Sequence, residues 1–155
     1  MTQGQVQIGQ AVPDFTLPAS TGGSISLQDY KGKKLVIYFY PKDNTPGCTV
    51  ESCDFRDYNG QFKQQNTEVI GISPDDLASH DTFISEFSLP FPLLADTDHT
   101  VSELFGVWKE RTWDGKTFMG IERSTFLIDE NGVLVREWRS VSVDGHVQEV
   151  LEAAK

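Results

Sequence analysis

The sequence predicts an α/β fold, with a mixed central sheet, helices on both faces and a short N-terminal hairpin. Three observations carry this. Leu35-Val36-Ile37-Tyr38-Phe39-Tyr40 is an unbroken apolar run of strand length, as expected of a central strand covered on both sides. Strand-like and helix-like stretches alternate from there to about residue 105. Late in the chain, residues 124–129 and 133–138 flank Glu130-Asn131-Gly132, a turn signature that adds an antiparallel hairpin.

Residues 1–8 are polar and Gln-rich and read as a loose tail. Phe15-Thr16-Leu17 and Ser24-Ile25-Ser26-Leu27 alternate around Thr21-Gly22-Gly23, which predicts the first hairpin. Pro41 ends the central strand because proline cannot donate to a ladder. A helix is expected from about Cys48 to Gln65, then a buried strand over residues 68–73. Further helices are expected between Asp76 and Ser88, near Asp98 to Phe105, and from Asp144 to Ala154. Thr112-Trp113-Asp114-Gly115-Lys116 carries a turn signal. The 155 residues show no internal repeat or linker, so residues 1–155 read as one domain with enough chain to bury a core.

Acidic side chains outnumber basic ones 23 to 13, and the net charge is -10. No basic run is present to hold a nucleic-acid backbone or an anionic membrane. No apolar run approaches the roughly 20 residues that cross a bilayer. The opening segment has neither a basic start nor an apolar core, so no signal peptide is expected. Two cysteines do not form a disulfide scaffold. The expectation is a cytoplasmic protein with reduced thiols.

Cys48 falls where the central strand hands over to a helix. The unpaired N–H groups and partial positive charge of a helix start favour thiolate over thiol, which makes Cys48 a candidate nucleophile. In the loop before it, Pro41 and Pro46 fix φ and Gly47 lets a small molecule approach the backbone. Thr45 adds a hydroxyl that both donates and accepts. On a helical wheel Glu51, Phe55, Tyr58 and Phe62 share the stripe of Cys48, whereas Cys53 points about 140° away, toward solvent. Residues five apart on a helix have Cα atoms about 8.6 Å apart, beyond the roughly 4.4–6.8 Å of a disulfide. A bond between Cys48 and Cys53 therefore requires that turn to unwind. A bare Glu51 carboxylate one turn from a thiolate would oppose it, so a cation is expected between them, and Arg123 is the candidate.

Pro41-x-x-x-Thr45-x-x-Cys48 with Glu51, together with Arg123 leading Ser-Thr-Phe-Leu-Ile-Asp, resembles the peroxiredoxins. Asn44-Thr45-Pro46-Gly47-Cys48-Thr49 and the Cys48-x4-Cys53 spacing resemble their Q-type, or bacterioferritin-comigratory, branch, and the likeness runs from about Gly9 to the C-terminus. The resemblance implies a thioredoxin-like fold and thiol-dependent reduction of hydroperoxides. It makes Cys48 the peroxidatic and Cys53 the resolving cysteine, with thioredoxin or a similar dithiol as reductant. Thr45 and Arg123 would hold the peroxide oxygens, Pro41 would shield the sulfur and Glu51 would orient the arginine. It implies a monomer and requires no metal, flavin or nucleotide.

Other features have plainer readings. His80, His99 and His146 are far apart in no ligand spacing and are expected at the surface. Asp75-Asp76 is expected to start a helix rather than bind metal. Two other functions compete on the same residues. A general thiol–disulfide oxidoreductase normally uses Cys-x-x-Cys, which is missing here. A non-enzymatic redox sensor would oxidise Cys48 without turnover.

Overall fold

The computed structural model describes residues 6–155. Its strands are β1 (Thr16–Pro18), β2 (Ser24–Ser26), β3 (Lys34–Phe39), β4 (Thr67–Ser73), β5 (Leu93–Ala95), β6 (Trp108–Trp113), β7 (Lys116–Ile121), β8 (Ser124–Ile128) and β9 (Leu134–Trp138). The helices are α1 (Pro46–Gln64), α2 (Leu77–Phe87), α3 (Thr100–Leu104) and α4 (His146–Ala154).

The central sheet has five strands in the order β5-β4-β3-β8-β9. β3 runs parallel to β4 and antiparallel to β8, so the sheet is mixed, and its chain is that of a thioredoxin-like α/β fold. Alternation along β3 divides the interior in two. Leu35, Ile37 and Phe39 point into one cluster with Phe15, Leu17, Val101 and Phe105, under the N-terminal hairpin and α3. Val36, Tyr38 and Tyr40 point into the other, with Phe55 and Phe62 of α1, Phe83 of α2 and Val147, Val150 and Leu151 of α4. All six residues of the apolar run are at most 1% exposed, as a strand covered on both faces requires.

Two expectations are corrected. The loose tail was expected over residues 1–8. Residues 1–5 lie outside the described residues, but Val6 is buried and its N–H donates to the Leu104 carbonyl, while Gly9 N–H donates to Leu134. Two of the histidines also depart from the surface reading: His80 and His146 are buried, with ring nitrogens 2.7 Å from Asp43 Oδ2 and 2.8 Å from the Thr125 hydroxyl. Their partners come from distant segments, which local spacing does not announce.

Beyond the expected turn at Thr112 to Lys116, β6 and β7 form a separate two-stranded sheet. Asp76 caps α2 by accepting from Ser79 N–H at 2.9 Å, as its position before the helix suggested.

Candidate active site

The site forms at the end of β3. Phe39, its last residue, pairs with Ser124, the first of β8, so the segments after β3 and before β8 emerge side by side. The first leads through residues 41–45 into α1, and the second begins with Arg123. This adjacency brings together residues 75 positions apart in sequence.

Thr45 is the N-cap of α1 in extended conformation (φ -88°, ψ 157°), and Pro46 follows in the first turn, where a missing N–H costs nothing. The Thr45 hydroxyl does not cap the helix and donates to the Lys42 carbonyl at 3.0 Å. The helix start therefore keeps its partial positive charge close to Cys48, which is buried at 1% exposure.

Arg123 bridges two acidic groups of α1. Its Nη2 donates to Cys48 Sγ at 3.2 Å and its Nη1 to Glu51 Oε1 at 2.7 Å. Burial alone would lower the Arg123 pKa, but the Glu51 and Cys48 charges raise it above the ordinary value. Burial pushes the Glu51 carboxyl up to about 7, and the Arg123 guanidinium limits the rise. The Nε2 of His146 lies 2.8 Å from the Thr125 hydroxyl; burial first and the charge of Arg123 second lower its pKa to about 4.

Of the six expected site residues, the structure joins Cys48, Glu51 and Arg123 directly. Thr45 stands at the helix start, and Pro41 is exposed where the loop leaves the sheet. Cys53 lies on the same unbroken helix as Cys48 and is half-buried, with both thiols free. Burial raises the Cys53 pKa; Arg56 opposes this, while Asp57 and Asp54 add to it. Sequence reasoning missed Asp43, Ser52 and His80. Ser52 is buried between the two cysteines, where its Oγ lies 2.9 Å from the Tyr38 hydroxyl. The wheel held the signal for Ser52, which falls beside the Cys48 stripe; for His80, 37 positions from its carboxylate partner, none existed.

The sequence matches the AhpC/TSA family over residues 8–137. It is 51% identical to peroxiredoxin Bcp of Bacillus subtilis, covering 97% of this chain and 96% of that one. Among solved structures it resembles peroxiredoxin Q of Xanthomonas campestris (43% identity, TM-score 0.86, 90% of this chain and 89% of that one). It also resembles a Xylella fastidiosa PrxQ variant (40% identity, TM-score 0.91, 96% and 95%). A cysteine held by an arginine at a helix start, on this sheet and with these relatives, leaves one assignment: the chain belongs to the AhpC/TSA family and, within it, to the peroxiredoxins of the Bcp or Q group, and is a peroxidase.

Proposed function

We propose that the protein reduces hydrogen peroxide and organic hydroperoxides through a Cys48 sulfenic acid, which Cys53 resolves to an intramolecular disulfide that thioredoxin recycles. The observation that carries this reading is the Arg123 bond to the Cys48 sulfur, which gives a buried sulfur a cationic partner. The Cys48 thiolate attacks one peroxide oxygen; an S–O bond forms, the O–O bond breaks, and the displaced oxygen leaves as water or alcohol after taking a proton. Arg123 and the Thr45 hydroxyl hold the peroxide oxygens, Glu51 fixes the guanidinium, and Pro41 shields the sulfur from the loop side. The Cys53 thiol then attacks the sulfenic sulfur and releases water. Two electrons from a dithiol reductant restore both thiols.

Organic hydroperoxides enter the proposal because the bacterioferritin comigratory protein of Xanthomonas campestris, 42% identical, is described for its alkyl peroxide reduction activity. We read the chain as a single-domain, cytoplasmic monomer; among the described residues no helix is long and apolar enough to cross a membrane. Cys48→Ser tests the centre of the proposal. Its hydroxyl is un-ionised at neutral pH, so peroxide consumption with a thioredoxin system should vanish. Turnover near that of the unmodified protein removes Cys48 from the mechanism.

A further inference from the structure

Asp43 sits in the loop between β3 and α1, two residues before Thr45, yet it is only 7% exposed. A carboxylate buried in a loop costs several kcal/mol unless its oxygens are satisfied. Here they are. Oδ1 accepts from the Tyr40 hydroxyl at 2.6 Å, and Oδ2 accepts from the Ser79 hydroxyl at 2.8 Å. Oδ2 also lies 2.7 Å from Nδ1 of His80, which is fully buried. The other ring nitrogen, Nε2, is 2.9 Å from the Leu94 carbonyl. A carbonyl only accepts, so Nε2 carries a hydrogen, and one proton lies between Nδ1 and Oδ2. The Asp43 N–H donates to Asp75 Oδ2 at 2.7 Å, and that oxygen also accepts from Ser73 Oγ at 2.8 Å.

These bonds fasten one loop residue to the ends of β3 and β4, the start of α2 and, through the imidazole, β5. The next residue, Asn44, has φ +62°, a left-handed conformation that needs holding. Thr45, with its hydroxyl on Lys42, follows immediately. Asp43, Asp75 and His80 each offer an atom within 4.8 Å of the others, as metal ligands do. Those atoms are already bonded to each other or to neighbouring donors, so an ion would displace hydrogen bonds the site has satisfied.

We propose that Asp43 and His80 are positioning residues for peroxide reduction. They touch no reacting atom. They clamp the loop so that the Thr45 hydroxyl stays fixed for the peroxide beside Cys48. This rests on the reading of Cys48 as the peroxide-reactive thiol.

The test compares two reactions of the reduced protein, both followed at Cys48. Peroxide reduction needs the placed Thr45 hydroxyl, whereas alkylation by iodoacetamide needs only an accessible thiolate, which Arg123 serves independently of the clamp. Asp43→Ala and His80→Gln should lower the second-order constant for hydrogen peroxide by about tenfold or more, with the alkylation constant changed by less than about twofold and its pH midpoint by less than about 0.3 unit. His80→Asn puts its amide nitrogen where Nδ1 meets Asp43, whereas His80→Gln reaches only toward Leu94. The Asn variant should therefore recover most of the peroxide rate. Ser79→Ala, which removes a single bond and keeps the ring, should show a smaller loss in the same direction and serves if the others do not fold.

Equal losses in both reactions, no loss in either, or no advantage of Asn over Gln would overturn the proposal. So would stoichiometric zinc binding by the unmodified protein that His80→Asn abolishes. If the unmodified protein fails to lose its Cys48 thiol to peroxide at all, the underlying reading fails instead, and the variants do not enter into it.

Discussion

Arg123 meets Glu51 through one hydrogen bond, Nη1 to Oε1 at 2.7 Å, while the second carboxyl oxygen, Oε2, is buried without a partner among the described residues. An oxygen left in this state is tolerated far better on a neutral carboxyl than on an anion. It accords with a Glu51 pKa raised to about 7. One guanidinium faces two acidic groups, and a proton on Glu51 leaves its charge to the Cys48 sulfur.

This makes the stability of the protein depend on pH in two opposed ways. Between pH 4.5 and about 7 the native Glu51 keeps a proton that the unfolded chain has released, so this residue makes stability fall as pH rises. His146 does the reverse. From about pH 4 to 6.5 the unfolded chain binds a proton that the native imidazole refuses, so stability rises with pH. Over the shared window the two slopes oppose each other, and each variant exposes the other. From pH 4.5 to 7, Glu51→Gln should gain on the unmodified protein by about 3 kcal/mol, and from pH 4 to 6.5 His146→Asn should lose by a similar amount. Urea unfolding across this range checks both. Curves that run parallel to that of the unmodified protein would show that neither group titrates differently in the fold.

Gly47 supplies a test of geometry that leaves every charge in place. A Cβ there would lie 3.2 Å from Arg123 Nη2, the nitrogen that holds the Cys48 sulfur. Gly47 is helical, so alanine raises helix propensity by up to about 1 kcal/mol. Gly47→Ala should therefore shift the guanidinium by a few tenths of an ångström from its place at the sulfur, slowing peroxide reduction by about 3- to 30-fold, while stability follows how easily the arginine yields. Stopped-flow oxidation and thermal unfolding on one sample settle it. An unchanged rate would mean that the arginine yields without consequence.

Much of this was legible in the chain. The apolar run of β3 and Pro41 announce the strand and its end, because each acts locally, whereas α1 begins at Pro46, ahead of the expected start near Cys48. The need for a cation followed from placing Glu51 one turn from Cys48, and Arg123 fills it. β5 was not legible: its three residues are a strand only because they pair with β4. Nor were β6 and β7, whose charged Lys109-Glu110-Arg111 shows no apolar alternation. The buried histidines escaped for the same reason, since His80 and His146 owe their burial to Asp43 and Thr125, which only the folded chain brings near.

Tyr38 grips the turn that carries both cysteines. Its hydroxyl lies 2.9 Å from Ser52 Oγ, and its ring stacks on Phe55 at 4.6 Å. The neighbouring strand leaves room for it with Gly71, where a Cβ would come within 2.8 Å of the ring. Ser52→Ala would leave a buried hydroxyl unpaired, at a cost of about 1–3 kcal/mol. That loss falls on the folded helix and not on an opened one, so local opening of α1 should become more frequent. Amide exchange over residues 49–57 of the reduced protein should accelerate, and the step from sulfenic acid to disulfide should quicken. Slower disulfide formation would show that the turn is not restrained by this contact.

The disulfide proposal depends on that opening. Cys48 and Cys53 lie on one unbroken α1 with both thiols free, and ideal helix geometry keeps their Cα atoms about 8.6 Å apart, beyond disulfide reach. Oxidation must therefore break at least one turn, and the contacts of Tyr38, Phe55 and Arg123 set its cost. Amide exchange over residues 49–57 should rise sharply once peroxide has been added, while β3 and β4 stay protected. Cys53→Ser should consume one peroxide per chain, then stall as a sulfenic acid and pass more readily to sulfinic acid, visible by mass as successive additions of oxygen. Sustained thioredoxin-dependent turnover without Cys53, or a disulfide within a helix that keeps its exchange protection, would refute resolution by this residue.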